Sequence, residues 1–228
     1  MPWLSPHDLA MRRRRRLWVA AGLLLGLIVV SLADRWLFFH LRAGNLARLE
    51  GKDWYRMLRV VGYLPTWLCI GGAVLAAGWA GRAAPTRNAA GLAMAPWWSR
   101  GVLLLLSPAL GGLAAEVLKV VFGRRRPINN FVADGVYVWD GPLAPLKHHD
   151  WGYGLPSSHA GVAFGAAFMV WRLWPGAGPL VFVLAAGCGL TRVLAGAHFA
   201  SDVYVGAIAS YAVAAWLWQM HTRERAGS

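Results

Sequence analysis

The stretch Thr191–Asp202, TRVLAGAHFASD, sets an arginine, a histidine and an aspartate into sequence that is otherwise apolar. His198 and Asp202 are four residues apart, so on a helix they share one face, about 6 Å apart along the axis. A carboxylate in that place accepts a hydrogen bond from one ring nitrogen, fixes the tautomer and makes the other nitrogen more nucleophilic. Arg192, on the preceding segment, supplies a planar fork of donors suited to phosphate oxygens. Two readings fit this stretch taken alone. One is a buried histidine satisfied by a helical neighbour, with Arg192 reaching a lipid headgroup. The other is a catalytic pair beside an anion-binding arginine.

The surroundings are those of a membrane protein. The chain has 228 residues, of which 57% are hydrophobic and only 14% charged, with 14 tryptophans and a mean hydropathy of +0.44. Soluble domains carry roughly 25% charge, so the composition predicts an all-α, polytopic membrane bundle folded as one domain over 1–228. The net charge of +13 in a soluble chain would suggest nucleic acid. Here the basic residues lie between apolar runs, which points to lipid headgroups or phosphorylated substrates and to no nucleic-acid partner. Cys69 and Cys188 both fall inside apolar runs and read as small core hydrophobes, without disulfide or metal-ligand spacing.

Outward from the opening stretch, hydropathy predicts about six transmembrane helices. A basic, cytoplasmic N-terminus over 1–16 ends in Arg12–Arg16, and Leu17–Ala33 is the first span. Basic residues, an apolar run and Ser31-Leu32-Ala33 also imitate a signal peptide. The apolar run is longer than most signal cores and further spans follow, which favours a retained helix. Residues 34–59 mix charge with Leu, Trp and Met, as in an amphipathic helix lying in the interface. Val60–Gly81 is the second span. A loop with Arg82, Pro85, Arg87 and Pro96 follows, anchored by Trp97 and Trp98. The third span starts after Arg100 and leaves through Glu116 and Lys119 as GRRRP. Residues 128–155 form a long loop without helical periodicity. Spans four to six cover about Pro156–Trp171, Gly178–Leu190 and Val203–Met220, with a tight turn at Trp174-Pro175-Gly176.

Six spans put both termini on one side and bring Lys119–Pro127, Pro156–His159 and Arg192–Asp202 together on the other. The Arg12–Arg16 block holds the N-terminus in the cytoplasm, so the converging face is periplasmic or exterior. Lys119, Arg126 and Arg192 suit the equatorial oxygens of a phosphoryl group in transfer. The amides of Ser158 and His159, at a helix start, add donors. In such a site His198 attacks phosphorus and His159 protonates the leaving oxygen. Glu116 is expected to pair with Lys119, and Arg124 and Arg125 to contact headgroups or flank the helix end. His148, His149 and Asp150 read as a polar rim rather than a metal cluster. Asn129, Asn130 and Tyr153 are candidates for the entrance.

The pattern Lys119-x6-Arg126-Pro127, then Pro156-Ser157-x-His159, then Arg192-x5-His198-x3-Asp202 resembles the type-2 phosphatidic acid phosphatase superfamily. The resemblance covers about half the chain, the catalytic half at roughly 101–220. It implies a helical bundle with no cofactor and no required metal. It further implies a phosphohistidine at His198, oriented by Asp202, with His159 as general acid. Lys119, Arg126, Ser157, Ser158 and Arg192 would bind the phosphate. Two positions depart from the family's commonest pattern: Ser158 stands where glycine is usual, and Thr191 where serine is usual. Ser158 keeps the amide but adds a side chain beside the phosphate.

The activity expected is removal of a phosphate or diphosphate from a lipid in the cell's inner membrane. Phosphatidic acid, phosphatidylglycerophosphate, undecaprenyl diphosphate and lipid A are candidate substrates. A lipid phosphotransferase of the same superfamily, or a non-catalytic protein that binds or transports lipid phosphates, are the alternatives. The oligomeric state is not legible.

Overall fold

The computed structural model describes residues 6–80, 97–130, 137–148 and 152–227. The loop with Arg82, Pro85, Arg87 and Pro96, the pair His149 and Asp150, and the side chains of Trp97, Trp98, Asn129 and Asn130 lie outside the described residues. Ten α-helices follow in order among the described residues: α1 (Pro6–Leu41), α2 (Leu46–Glu50), α3 (Asp53–Val60), α4 (Leu64–Ala80), α5 (Trp97–Phe122), α6 (Pro127–Asn130), α7 (Ala144–His148), α8 (Ser158–Leu173), α9 (Gly178–Leu194) and α10 (Ala200–Gly227). Backbone groups have no water to bond in a bilayer core, so helices are the form an apolar chain of this kind can take there.

Four stretches are long and apolar enough to cross a membrane: Arg13–Leu41, Ser99–Phe122, Pro175–Leu194 and Ala200–Arg223. A fifth results if Asp53–Val60 and Leu64–Trp79, bent by 62° at their junction, act together. The segment expected as the fourth span, α8, has only 16 residues, fewer than the roughly 20 a bilayer core asks for. The lengths thus support four or five spans where hydropathy predicts six.

α8 is the axis of the bundle. It packs against α5, α9 and α10, while α4 covers α5, α3 covers α9 and α1 lies along α10. Small residues let these backbones meet. A Cβ built on Gly161 would stand 2.7 Å from the Gly111 carbonyl, and one on Gly165 2.7 Å from that of Ser107. Ser107 and Ser210 hydroxyls donate to the Gly165 and Gly161 carbonyls at 2.6 and 2.7 Å. Small residues with hydroxyl glue are how helices hold together where the hydrophobic effect is weak. Around this contact Leu104, Val162, Ala166, Met169 and Ala214 form the apolar core. On α1, by contrast, Leu17, Trp18, Val19, Leu24 and Leu25 are exposed, a surface suited to lipid.

Several expectations are corrected by the packing. Residues 34–41 continue α1 rather than starting an interfacial helix, and only α2 and α3 form the short polar-faced segment. Residues 128–155 contain α6 and α7 and are not wholly irregular. Cys188 is buried but Cys69 is exposed; α4 is apolar all round, so composition does not say which side faces inward.

Candidate active site

The GRRRP segment leaves α5 through Gly123, whose φ of +63° is a left-handed turn that a Cβ would block, since it would fall 2.0 Å from the Gly141 carbonyl. The chain then runs extended and is pinned on both sides. Arg125 N–H donates to Val138 at 2.9 Å, Arg126 N–H to Gly152 at 2.8 Å, and Gly154 N–H to Arg124 at 2.8 Å. The long loop therefore serves to place Gly154, and Gly154 serves His198.

His198 sits in the turn between α9 and α10 and is 2% exposed. The turn is made by Gly196 at φ +64° and closed by Ala197 and His198 N–H groups that donate to the Arg192 carbonyl. The ring Nδ1 lies 2.9 Å from the Gly154 carbonyl and 3.4 Å from Asp202 Oδ2. A carbonyl only accepts, so Nδ1 carries the proton and Nε2 holds the lone pair. Burial, opposed by Asp202, pushes the imidazole down to about 4, which keeps it neutral at pH 7 and able to act as a nucleophile. The ring nitrogen bonds a backbone oxygen, which the sequence does not announce, with the carboxylate expected to orient it 3.4 Å away.

Asp202 is fully buried and well held. Its Oδ2 accepts the Phe199 N–H at 2.8 Å, and its Oδ1 accepts from an Arg124 terminal nitrogen at 2.5 Å. Arg124 is only 4% exposed and lies over the rings of Tyr137, Trp139 and Phe199, 4.9 to 5.4 Å from their centroids. The expectation that Arg124 contacts headgroups is thus corrected: it is the counter-ion of Asp202. Arg125 is partly exposed and pairs with Asp140 at 2.7 Å, so it does not flank the helix end unpartnered.

A cavity of about 360 Å³ opens beside His198, lined by Lys119, Arg126, Ser158, His159, Arg192 and His198 together with Glu116, Gly62, Tyr63, Leu64 and Val162. Six of the eight expected site residues line it. Asp202 stands behind His198. Ser157 is turned away: it is fully buried, and its hydroxyl caps α8 by accepting from Ala160 N–H at 3.5 Å. Its own N–H donates to the Asp202 carbonyl at 3.0 Å, so it ties α8 to α10. The start of α8 nonetheless faces the cavity through Ser158 and His159, so the helix dipole adds to its positive field.

The cations of this cavity are in different states. Lys119 donates to Glu116 at 2.7 Å and to Ser158 Oγ at 2.6 Å, and Ser158 in turn bonds Glu116. Glu116 pairs with Lys119 as expected. The extra hydroxyl of Ser158 joins that pair. Arg126 Nε donates to the Tyr153 carbonyl at 3.2 Å. Arg192 is 9% exposed, and its buried Nε has no acceptor among the described residues. An unpaired buried donor of that kind is costly. Thr191 donates its hydroxyl to the Cys188 carbonyl at 2.6 Å and so turns it back on α9.

His159 faces the Tyr63 ring edge-on, with centroids 5.6 Å apart. Tyr63 arrives there because the α3–α4 corner passes close: a Cβ on Gly62 would stand 2.9 Å from the His159 carbonyl and 2.6 Å from Cys188 Sγ. Sequence reasoning missed Gly154, Gly62, Tyr63 and the role of Arg124. Only Arg124 carried a signal, as one of three cations crowded at the end of an apolar helix.

The sequence model of the PAP2 superfamily matches residues 100–226, more than half of the chain. A Lipid A 1-phosphatase of Rhizobium johnstonii is 36% identical over 118 residues, which is 51% of this chain and 44% of that protein. A Lipid A 1-phosphatase of Rhizobium etli is 34% identical over 108 residues, 46% of this chain and 44% of that protein. The match therefore spans less than half the length of these relatives. No solved structure matches.

Proposed function

Since the chain belongs to the PAP2 superfamily, we propose that it is an integral-membrane phosphatase that removes a phosphate from a lipid by way of a phosphohistidine. One observation carries this reading. The neutral His198, its Nδ1 proton directed at Gly154 and Asp202, borders a cavity that Lys119, Arg126 and Arg192 also line.

The reaction follows from that placement. The phosphoryl oxygens lie among the three cations, and Arg192 Nε gains the acceptor it lacks. The Nε2 lone pair of His198 forms a bond to phosphorus while the bond from phosphorus to the lipid oxygen breaks. Burial and the nearby Arg192, Arg59 and Lys119 push His159 down to about 3. The charge of the substrate's phosphate offsets those cations, so His159 takes up a proton as the substrate binds. It then gives that proton to the lipid oxygen, and a neutral alcohol leaves. The positive charge on the phosphorylated imidazole is balanced by Asp202 through Nδ1–H. Water then gives a proton to His159 and attacks phosphorus, the N–P bond breaks, and inorganic phosphate leaves with both histidines restored. Three side-chain cations supply the charge stabilisation that a metal supplies elsewhere, so the proposed reaction is metal-independent. The basic block Arg12–Arg16, which favours a cytoplasmic N-terminus, supports a periplasmic position for this site in an inner membrane.

Among the candidate substrates, similarity to two proteins named Lipid A 1-phosphatase favours a phosphate carried on a glycolipid over one on a glycerolipid. The test is phosphate release by the protein purified in detergent, over a panel holding lipid A, phosphatidic acid, phosphatidylglycerophosphate and undecaprenyl diphosphate. The glycolipid is expected to turn over fastest, and the His198→Ala variant to release nothing. Release by His198→Ala at the wild-type rate would overturn the mechanism, and preference for a glycerolipid would overturn the substrate.

A further inference from the structure

Asp34 lies on α1, outside the residues that the family model matches. Leu32, Arg35 and Trp36 beside it are exposed, yet Asp34 itself is 1% exposed. A carboxylate inside a membrane-spanning stretch is costly and marks a function by default. Its Oδ1 accepts the Ser201 N–H at 3.0 Å, and its Oδ2 accepts the Tyr137 hydroxyl at 3.0 Å and the Ser201 hydroxyl.

The hydrogen bonds beyond Ser201 lead to the reaction centre. One terminal nitrogen of Arg124 donates to Ser201 Oγ at 2.7 Å and to Asp202 Oδ1 at 2.5 Å. Arginine can only donate, so the single hydroxyl proton of Ser201 has to point at Asp34. The two hydrogens of that nitrogen are thereby assigned, one to Ser201 and one to Asp202. We propose that Asp34 is a positioning residue for the reaction at His198, acting from α1 through Ser201 and Arg124 on Asp202. This rests on the reading of His198 as nucleophile. Helix α1 is then part of the catalytic apparatus and not only a membrane anchor.

Asparagine at 34 offers one neutral acceptor oxygen to three donors, so the Ser201 hydroxyl that receives Arg124 loses its charged acceptor and is held less firmly. The experiment uses the full chain in detergent, with Asp34→Asn made alone and in an Asp202→Asn background. Turnover of p-nitrophenyl phosphate is measured together with inhibition by inorganic phosphate and by vanadate. Asp34→Asn should lower kcat about tenfold or more, as loss of an outer-shell orienting partner does. KM and inhibition by phosphate should stay within about twofold, because Lys119, Arg126 and Arg192 are not touched. Inhibition by vanadate, which needs His198 as an axial ligand, should weaken in step with kcat. In the Asp202→Asn background the second change should cost less than about twofold, since both act on one element.

A purely structural Asp34 would behave otherwise. Equal weakening of phosphate and vanadate inhibition, an unchanged kcat, or the full loss repeated on top of Asp202→Asn would each overturn the proposal. If Asp34→Asn does not fold, Ser201→Ala cuts the same link with both carboxylates kept, and the same pattern is required of it. The underlying reading fails separately: turnover by His198→Ala removes it, whereas a dead His198→Ala beside an unaffected Asp34→Asn removes only the role of Asp34.

Discussion

Replacing Arg124 by methionine strands the Asp202 carboxylate, whose side chain is 0% exposed and whose guanidinium partner is 5% exposed at 2.5 Å. Removing one member of a buried ion pair costs about 3–5 kcal/mol, because the remaining charge has no solvent to turn to. The neighbouring Arg125–Asp140 pair, with side chains 25% and 20% exposed, is worth about 0–1 kcal/mol after screening. For a chain of this size 1 kcal/mol moves the unfolding midpoint by roughly 2–4 °C. Arg124→Met should therefore lower it by about 6–20 °C, and Arg125→Met by no more than about 4 °C. The assay is thermal unfolding of the purified protein in detergent, with phosphate release measured well below the transition. Arg124→Met should also lose most of its activity. Adding Asp202→Asn should restore much of the midpoint, since no buried charge is then left alone, while activity stays low. Equal small shifts for Arg124→Met and Arg125→Met would refute the assignment of Arg124 as the buried counter-ion.

Other outcomes test the chemistry and the topology. His198→Ala should abolish phosphoenzyme formation with every substrate. His159→Ala should be severe for lipid substrates but much milder with p-nitrophenyl phosphate, whose leaving group needs little protonation; equal losses with the aryl substrate would sink the division of roles. Chelator-treated enzyme should keep its activity and vanadate should inhibit it, so a loss restored by Mg²⁺ would contradict a site built on three side-chain cations. Single cysteines placed between residues 140 and 148 of a Cys69- and Cys188-free variant should react with an impermeant thiol reagent in intact cells. Labelling only after lysis would reverse the orientation.

Hydropathy alone determined that this chain is a helical membrane bundle, because long uncharged runs have only one way to satisfy their backbone in lipid. Spacing alone picked out Lys119, Arg126, His159, Arg192, His198 and Asp202, because alternate spans return to the same face. The structure brings all six to one place, five at the cavity wall and Asp202 behind His198. What hydropathy could not decide was which side of an all-apolar helix faces inward, so Cys69 is expected in the core and α8, the most buried helix, reads as one more membrane span.

The finer electrostatics belonged to the tertiary structure. Three consecutive arginines are equivalent in sequence; only the ribbon that pins them sends Arg124 to Asp202, Arg125 to Asp140 and Arg126 to the cavity. Ser157 and Ser158 are adjacent hydroxyls, yet one caps α8 and the other joins Lys119 and Glu116, because a helix start turns consecutive side chains by about 100°. The Gly154 carbonyl that fixes the His198 proton has no side chain to advertise it. Asp34 is 167 residues from the Ser201 it binds, and a partner at that separation is chosen by how α1 lies against α10, a packing decision that no local pattern encodes.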